Sequence, residues 1–420
     1  MDAFPIGIYT WFLSNYFMKK IILKNGLTLL LEERKSDSIT LQVTVKVGSD
    51  NETEANNGIS HFVEHMLFEG TQQHKDARSI TNEIEKLGGD INAYTSNEKT
   101  CYYIKVPKEH FLKALDILFD ITTHSRFPAR ALEKERKVIL KEINLHRDEP
   151  RSHQWVLFQQ LLFKKHPARL PTYGNERAVK SMKRSELFDF YKERYVGGNL
   201  IVSAVGDLPS NALAILQSSF GKISRGTVPD KYLPEEPALS KIEVSKEIRS
   251  INNSYMVMGY KAPVRVVYDS YVLDVIRSIL GRGQSGRIFE EIRNKRGLAY
   301  EVGVYHDCGK DFGFFSVYLN THKRHIREAL KVILQEFRKL SKIKPKDLEE
   351  AKGNLIGQYI LDHEDTQMIA DEMAAWEVVG GSEHGNRYLE TIKKVSIPDV
   401  KRVAQQYLTD HYALALIEQK

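Results

Sequence analysis

Cysteine is nearly absent from this chain. Cys101 and Cys308 are the only two. They lie too far apart in sequence to read as a disulfide framework, and no Cys-x-x-Cys offers a thiolate pair. A metal held by this protein must therefore sit on histidine and carboxylate. Basic runs with interleaved aromatics are also missing. The 61 Lys and Arg against 55 Asp and Glu leave +6, a mild excess that reads as solvated surface and argues against nucleic acid as a partner. The longest apolar stretch, residues 3–18 (AFPIGIYTWFLSNYFM), falls short of the ~20 residues that span a bilayer. It also lacks the leading charge and the small residues of a secretory signal, since Lys19 and Lys20 come only afterwards. Residues 1–17 read as an N-terminal extension, a leader or a start-site artefact ahead of Met18. The protein is expected to be cytoplasmic, without stable membrane insertion.

The length of 420 residues implies two or three domains. Residues 20–33 alternate like two strands around Asn25-Gly26, and 41–47 (LQVTVKV) alternate again. Helical patterns cover 58–69 and 77–87, the second stopped by Gly88-Gly89. Two strands follow around Asn97-Glu98, then amphipathic helices over 109–123 and 128–146 and a buried strand over 200–205. Residues 226–240 (GTVPDKYLPEEPALS) are rich in proline and charge and read as a linker. Beyond it the order of elements repeats. Residues 110–118 (HFLKALDIL) echo 325–334 (HIREALKVIL), and 127–143 echo 343–359. The expected fold is α+β, two homologous domains produced by duplication, each a mostly antiparallel sheet packed with helices. The zinc-bearing domain is placed at 18–225 and the second at 241–420.

His61-Phe62-Val63-Glu64-His65 falls on a predicted helix. At 100° per residue the three polar side chains project within an arc of about 100°. Two imidazoles one turn apart can share a tetrahedral zinc, and the carboxylate between them can take a proton from a water held there. Such a site needs a third protein ligand. Glu135 and Glu142 share one stripe of the helix over 128–146, though a Glu pair on a Lys/Glu-rich helix is also an ordinary solvated face.

His-x-x-Glu-His is the inverted zinc motif, and the surrounding GISHFVEHMLFEGT resembles the pitrilysin-type zinc metallopeptidases, the inverzincins. The resemblance covers nearly the whole chain from Met18. It implies one zinc per chain, held by His61, His65 and Glu142, the last standing about 77 residues after His65 as the family's further ligand does. It implies Glu64 as the catalytic base and Glu135 as a supporting carboxylate. LGGDINAYTSNEKTCYY (87–103) resembles the family's substrate strand, so Asn92, Ala93 and Tyr94 would hold an extended peptide by strand addition, with Phe68 lining a side-chain pocket. IFEEIRNKRGLAYEVGVY (288–305) resembles the family's Arg/Tyr element. Arg293 would hold the substrate backbone and Tyr300 would donate to the oxyanion.

The implied activity is metalloendopeptidase, acting on short or unfolded peptides inside a chamber. The chain matches half of the four-domain members, so a homodimer, or a heterodimer with a related subunit, is expected to bring the Arg/Tyr element to a zinc site. The alternative is a non-catalytic scaffold or partner subunit of the same fold, which usually lacks the motif this chain keeps.

Overall fold

The computed structural model describes the backbone of residues 7–13, 16–229, 233 and 236–420, and side chains from Met18 onward. Twelve strands are present among them: β1 Gly7–Leu13, β2 Tyr16–Ile22, β3 Thr28–Glu33, β4 Ser38–Val45, β5 Asp90–Thr95, β6 Thr100–Pro107, β7 Leu200–Gly206, β8 Glu243–Arg249, β9 Ser254–Lys261, β10 Ala299–Cys308, β11 Gly313–Thr321 and β12 Ala413–Gln419. They form two sheets, in the orders β1-β2-β3-β7-β4-β6-β5 and β10-β11-β9-β12-β8.

The duplication is visible in these orders. In the first sheet β3 runs parallel to β7, and β7, β4, β6 and β5 then pair antiparallel in turn. In the second sheet β8 runs parallel to β12, and β12, β9, β11 and β10 follow in the same way. One five-stranded frame thus occurs twice. The first copy carries the added hairpin β1–β2 on its β3 edge, so residues 7–13 of the expected extension are part of a sheet.

Helices α1 (Ile59–Phe68), α2 (Ala77–Glu85), α3 (Phe111–Thr123) and α4 (Ala129–Asp148) lie where the periodicity places them. Helices Ile326–Lys339 and Pro345–Asp362 are the second-half counterparts of α3 and α4. The expected helix from Ile288 is instead one α turn, Arg287–Phe289, continued as a π-helical turn, Glu290–Asn294.

One boundary between the compact units falls inside the expected linker at 226–240, but neither unit is continuous in sequence. The first compact unit is Met1–Ile143, Leu170–Tyr232 and Asp362–Asn386. The second is Asn144–Arg169, Leu233–Leu361 and Arg387–Lys420. Packing explains the difference. Helix α5 (Pro150–Leu162) sends Phe158 and Leu162 into a cluster with Val257, Phe314 and Ala413 of the second sheet. Helix Thr366–Val379 sends Ile369, Ala370, Met373 and Ala374 against Met18, Leu30, Ile201 and Val205 of the first. Each half of the chain gives one helix to the other's sheet. Alternation along β7 serves both faces: Leu200, Val202 and Ala204 enter the main core, whereas Ile201 and Val205 meet the donated helix.

The described part of 226–240 has no regular structure. It is fastened by Glu236, whose carboxylate accepts backbone N–H groups of Lys164 (2.5 Å), Lys165 (2.8 Å) and His166 (2.8 Å). No helix among the described residues is long and apolar enough to cross a membrane.

Candidate metal centre

Helix α1 has two unlike faces. Ile59, Phe62, Val63, Met66 and Leu67 are buried in the core of the first unit. His61, His65 and Phe68, at i, i+4 and i+7, form a second stripe, with Glu64 beside it.

The helix start is fixed by groups that spacing did not reveal. Glu52, in the preceding loop, is buried, and its carboxylate accepts the N–H of Gly58 (2.7 Å), the N–H of Ser60 (2.9 Å) and the side-chain amide of Asn57 (2.9 Å). These bonds satisfy otherwise orphaned donors at the positive end of the helix. Burial pushes the Glu52 carboxyl up, and the same bonds pull against it. Gly58 has φ +97°, and a Cβ there would meet the Cα of Gly174 at 2.7 Å, so two glycines set the close approach of two loops.

Helix α4 brings Glu135 and Glu142 to the histidine stripe. His65 Nε2 and His61 Nε2 lie 3.6 and 3.9 Å from Glu142 Oε2. One ligand atom from each of His61, His65 and Glu142 lies within 4.8 Å of the other two. The imidazole rings meet edge-on with centroids 4.7 Å apart. Among the described residues this is the one group of three or more His, Cys, Asp and Glu side chains close enough to hold a metal. The set fits zinc: nitrogen and carboxylate donors, three in number, as catalytic zinc sites use.

The other nitrogen of His65 is occupied. Nδ1–H donates to Glu135 Oε2 at 3.0 Å, while Lys134 Nζ lies 3.1 Å from the second carboxylate oxygen. Burial would lower the His65 imidazole, but the Glu135 bond and the neighbouring carboxylates overcome it and hold it above its ordinary value. Burial would raise Glu135, and the bonds from His65 and Lys134 reverse that. Glu135 thus contacts the His65 ring on the side away from Glu142, the place a supporting carboxylate would take.

Glu64 is buried beside the set, and its Oε2 accepts a hydrogen bond of 2.6 Å from Thr95 Oγ1 on β5. Burial pushes its carboxyl up to about 7. The Thr95 bond and His65 act in the opposite direction, and Glu142 adds to the rise. Thr95 is a site residue that sequence reasoning missed. Its signal was the strand period, because Ala93 and Thr95 fall on one face and Asn92 and Tyr94 on the other.

Among the described residues strand β5 ends the first sheet and pairs only with β6, in the register Asn92↔Tyr103, Ala93↔Tyr102 and Tyr94↔Cys101. Asn92 folds its side-chain oxygen onto the N–H of Ala93 (2.8 Å). The Tyr94 hydroxyl donates to Asp371, so its side chain is engaged within the protein. Phe68 is half-buried, with its ring 6.1 Å from that of Tyr102.

Arg293 and Tyr300 belong to the second unit. The Arg293 guanidinium lies 4.5 Å from the centre of the Tyr300 ring and 4.9 Å from that of Phe289, and Tyr300 is 77% exposed. The structure brings these two together within that unit.

A His-x-x-Glu-His helix is thus joined by a carboxylate from a second helix, on one copy of a duplicated α+β frame, in a donor set of the kind catalytic zinc sites use. Residues 28–176 match the family described as Insulinase (Peptidase family M16), and 181–355 match the Peptidase M16 inactive domain. An uncharacterized zinc protease of Bacillus subtilis, YmxG, is 30% identical over 95% of this chain and 98% of its own length. One from Rickettsia felis is 29% identical over 94% and 96%. The fold matches a crystal structure of a protease from Helicobacter pylori with a TM-score of 0.91 at 22% identity, over 97% of this chain and all of that one. The chain belongs to peptidase family M16, the insulinase/pitrilysin family.

Proposed function

We propose that this chain is a zinc-dependent endopeptidase that hydrolyses short or unfolded peptides. The observation that carries the reading is the convergence of His61, His65 and Glu142, with Glu64 fixed beside them. His61, His65 and Glu142 would hold zinc, which when bound supplies a Lewis acid for a peptide carbonyl and for water. Glu135 keeps the His65 ring turned so that Nε2 is free for a ligand role. Glu64 takes the proton from the attacking water and passes it to the leaving amine. Its burial keeps the carboxyl basic enough for both steps.

The open edge of β5 offers backbone N–H and C=O groups to an extended peptide, an affinity that tolerates many sequences. Arg293 and Tyr300 act on the substrate backbone and the oxyanion, and a second copy of the chain, or a related subunit, supplies them to the site. A strictly monomeric variant with full activity would remove that part of the reading. Favouring a catalytic role over a scaffold is the complete set His61, Glu64, His65 and Glu142. The inactive-domain match covers only 181–355, which excludes that set.

The test pairs zinc content with cleavage of an unstructured peptide. Glu64→Gln is expected to keep zinc and lose nearly all turnover, and Glu142→Gln to weaken zinc binding. Normal cleavage by Glu64→Gln would overturn the mechanism.

A further inference from the structure

Asp371 lies on helix Thr366–Val379, the helix that the second half of the chain donates to the first sheet. One of its oxygens, Oδ1, gathers three donors from that sheet. They are the Tyr94 hydroxyl of β5, Lys99 Nζ of the β5–β6 turn at 2.8 Å and Gln42 Nε2 of β4 at 3.3 Å. The Lys99 ammonium also lies 5.4 Å from the centre of the Tyr94 ring. Burial and the Asp371 charge raise the Tyr94 phenol, so it stays protonated and remains a donor.

We propose that Asp371 is a positioning residue for peptide binding, pinning β5 from the face opposite the metal centre. Tyr94 and Thr95 are adjacent and point to opposite faces. Tyr94 is tied to Asp371, and Thr95 is tied to Glu64. Among the described residues β5 is the last strand of its sheet, paired on one edge only, and a strand held on one edge is free to shift. A peptide adding to a strand that shifts must first order it and loses affinity by that amount. The Asp371 cluster removes the freedom beforehand. Lys99 and Gln42 extend the pin to the turn and to β4, so the whole β5–β6 hairpin is held against the donated helix.

This inference rests on the peptidase reading, so its test must fail separately from that reading. The zinc-loaded full chain is compared as wild type, Asp371→Asn, Asp371→Ala and Tyr94→Phe. Asp371→Ala is expected to raise KM about tenfold, the size of one charge-assisted hydrogen bond, with kcat moved by less than about threefold. Asp371→Asn keeps an oxygen for Tyr94 and is expected to fall between Asp371→Ala and wild type. Zinc content stays at the wild-type level, and amide exchange quickens over residues 90–100 alone.

Peptide affinity is also read directly by anisotropy, in a Glu64→Gln background with and without Asp371→Ala. An unchanged KM and an unchanged affinity overturn the proposal. So does a uniform fall in kcat, zinc content and thermal stability, which marks general loss of structure. Normal turnover by Glu64→Gln alone removes the peptidase reading, and the anisotropy result still decides the role of Asp371.

Discussion

Replacing Glu135 with glutamine tests how the metal centre is held. The change keeps the length and shape of the side chain and removes its charge. Glu135 serves two donors with two oxygens, His65 Nδ1–H at 3.0 Å and Lys134 Nζ at 3.1 Å. Glutamine keeps one oxygen and puts an amide NH2 in the place of the other, which cannot accept from the second donor. Lys134 is exposed and has a second partner in Glu69 at 2.9 Å, so it can swing away. The amide oxygen then stays on His65, and the loss is the charge assistance of that bond. Charged hydrogen bonds are roughly twice as strong as neutral ones, a difference of about 1–1.5 kcal/mol or about tenfold in an equilibrium constant. Zinc affinity, measured by competition with a chromophoric chelator at neutral pH, is therefore expected to weaken about tenfold in Glu135→Gln. In Glu135→Ala, which leaves Nδ1–H without its carboxylate, it is expected to weaken nearer a hundredfold. Activity at saturating zinc should largely recover in Glu135→Gln. Wild-type zinc affinity in both variants, or a loss of turnover as complete as in Glu64→Gln with zinc fully bound, would show that Glu135 meets the reacting atoms and that the positioning argument is wrong.

Adding zinc should raise the melting temperature of the metal-free protein. At a thousandfold excess over Kd the stabilisation is about 4 kcal/mol, and Glu142→Gln is expected to lose most of that shift in a calorimetric scan. Tyr300→Phe should lower kcat about a hundredfold with little change in KM, and an unaltered kcat removes Tyr300 from the reaction. In the second unit, burial would raise the Asp274 carboxyl, but Arg265 (2.7 Å) and His306 (2.7 Å) hold it well below the ordinary range. A depressed carboxylate contributes stability above its unfolded value near ~3.9 and loses it as pH falls towards its folded value. His306, lowered by burial, adds a loss in the same direction starting near its unfolded value of ~6.5. Asp274→Asn, which removes the carboxylate charge between Arg265 and His306, is expected to cost about 3–5 kcal/mol at neutral pH. Wild type and variant should converge in acid, and parallel stability curves from pH 7 to 3 would contradict the assignment.

Sequence pattern carried the elements furthest where a local period was at work. Helices α1 and α4 and the β5–β6 hairpin announce themselves by apolar spacing and by Asn97-Glu98, and the stripe of His61 and His65 follows from helix geometry alone. Glu142 needed the family's spacing, because nothing in helix α4 separates a ligand from a solvated Glu. What stayed hidden is long-range. Glu52 stands in a polar loop with Asp50 and Glu54, and only the folded chain selects which carboxylate caps helix α1. An amphipathic helix declares that it has a buried face, not whose sheet covers it. The exchange of α5 and Thr366–Val379 was for that reason beyond the pattern, and with it the Tyr94–Asp371 bond across 277 residues of sequence.

The duplication explains why one copy of the frame bears the metal set and the other does not. Helix α1 lies between β4 and β5, and helix Tyr268–Gly281 lies in the same place between β9 and β10. Both helices bury a carboxylate bonded to the strand that follows: Glu64 to Thr95 in the first copy, Asp274 to His306 in the second. In the first copy the neighbouring groups are lone-pair donors converging from two helices, which leaves a positive charge to be supplied from outside. In the second copy Asp274 Oδ1 receives His306, and Oδ2 receives both Arg265 (2.7 Å) and the Tyr388 hydroxyl (3.2 Å). The guanidinium supplies internally the charge that a metal would bring, and both carboxylate oxygens are engaged by protein donors. Charge balance in each copy therefore agrees with the proposal of one zinc per chain. Metal analysis giving two equivalents, with the second lost on Asp274→Asn, would contradict that assignment.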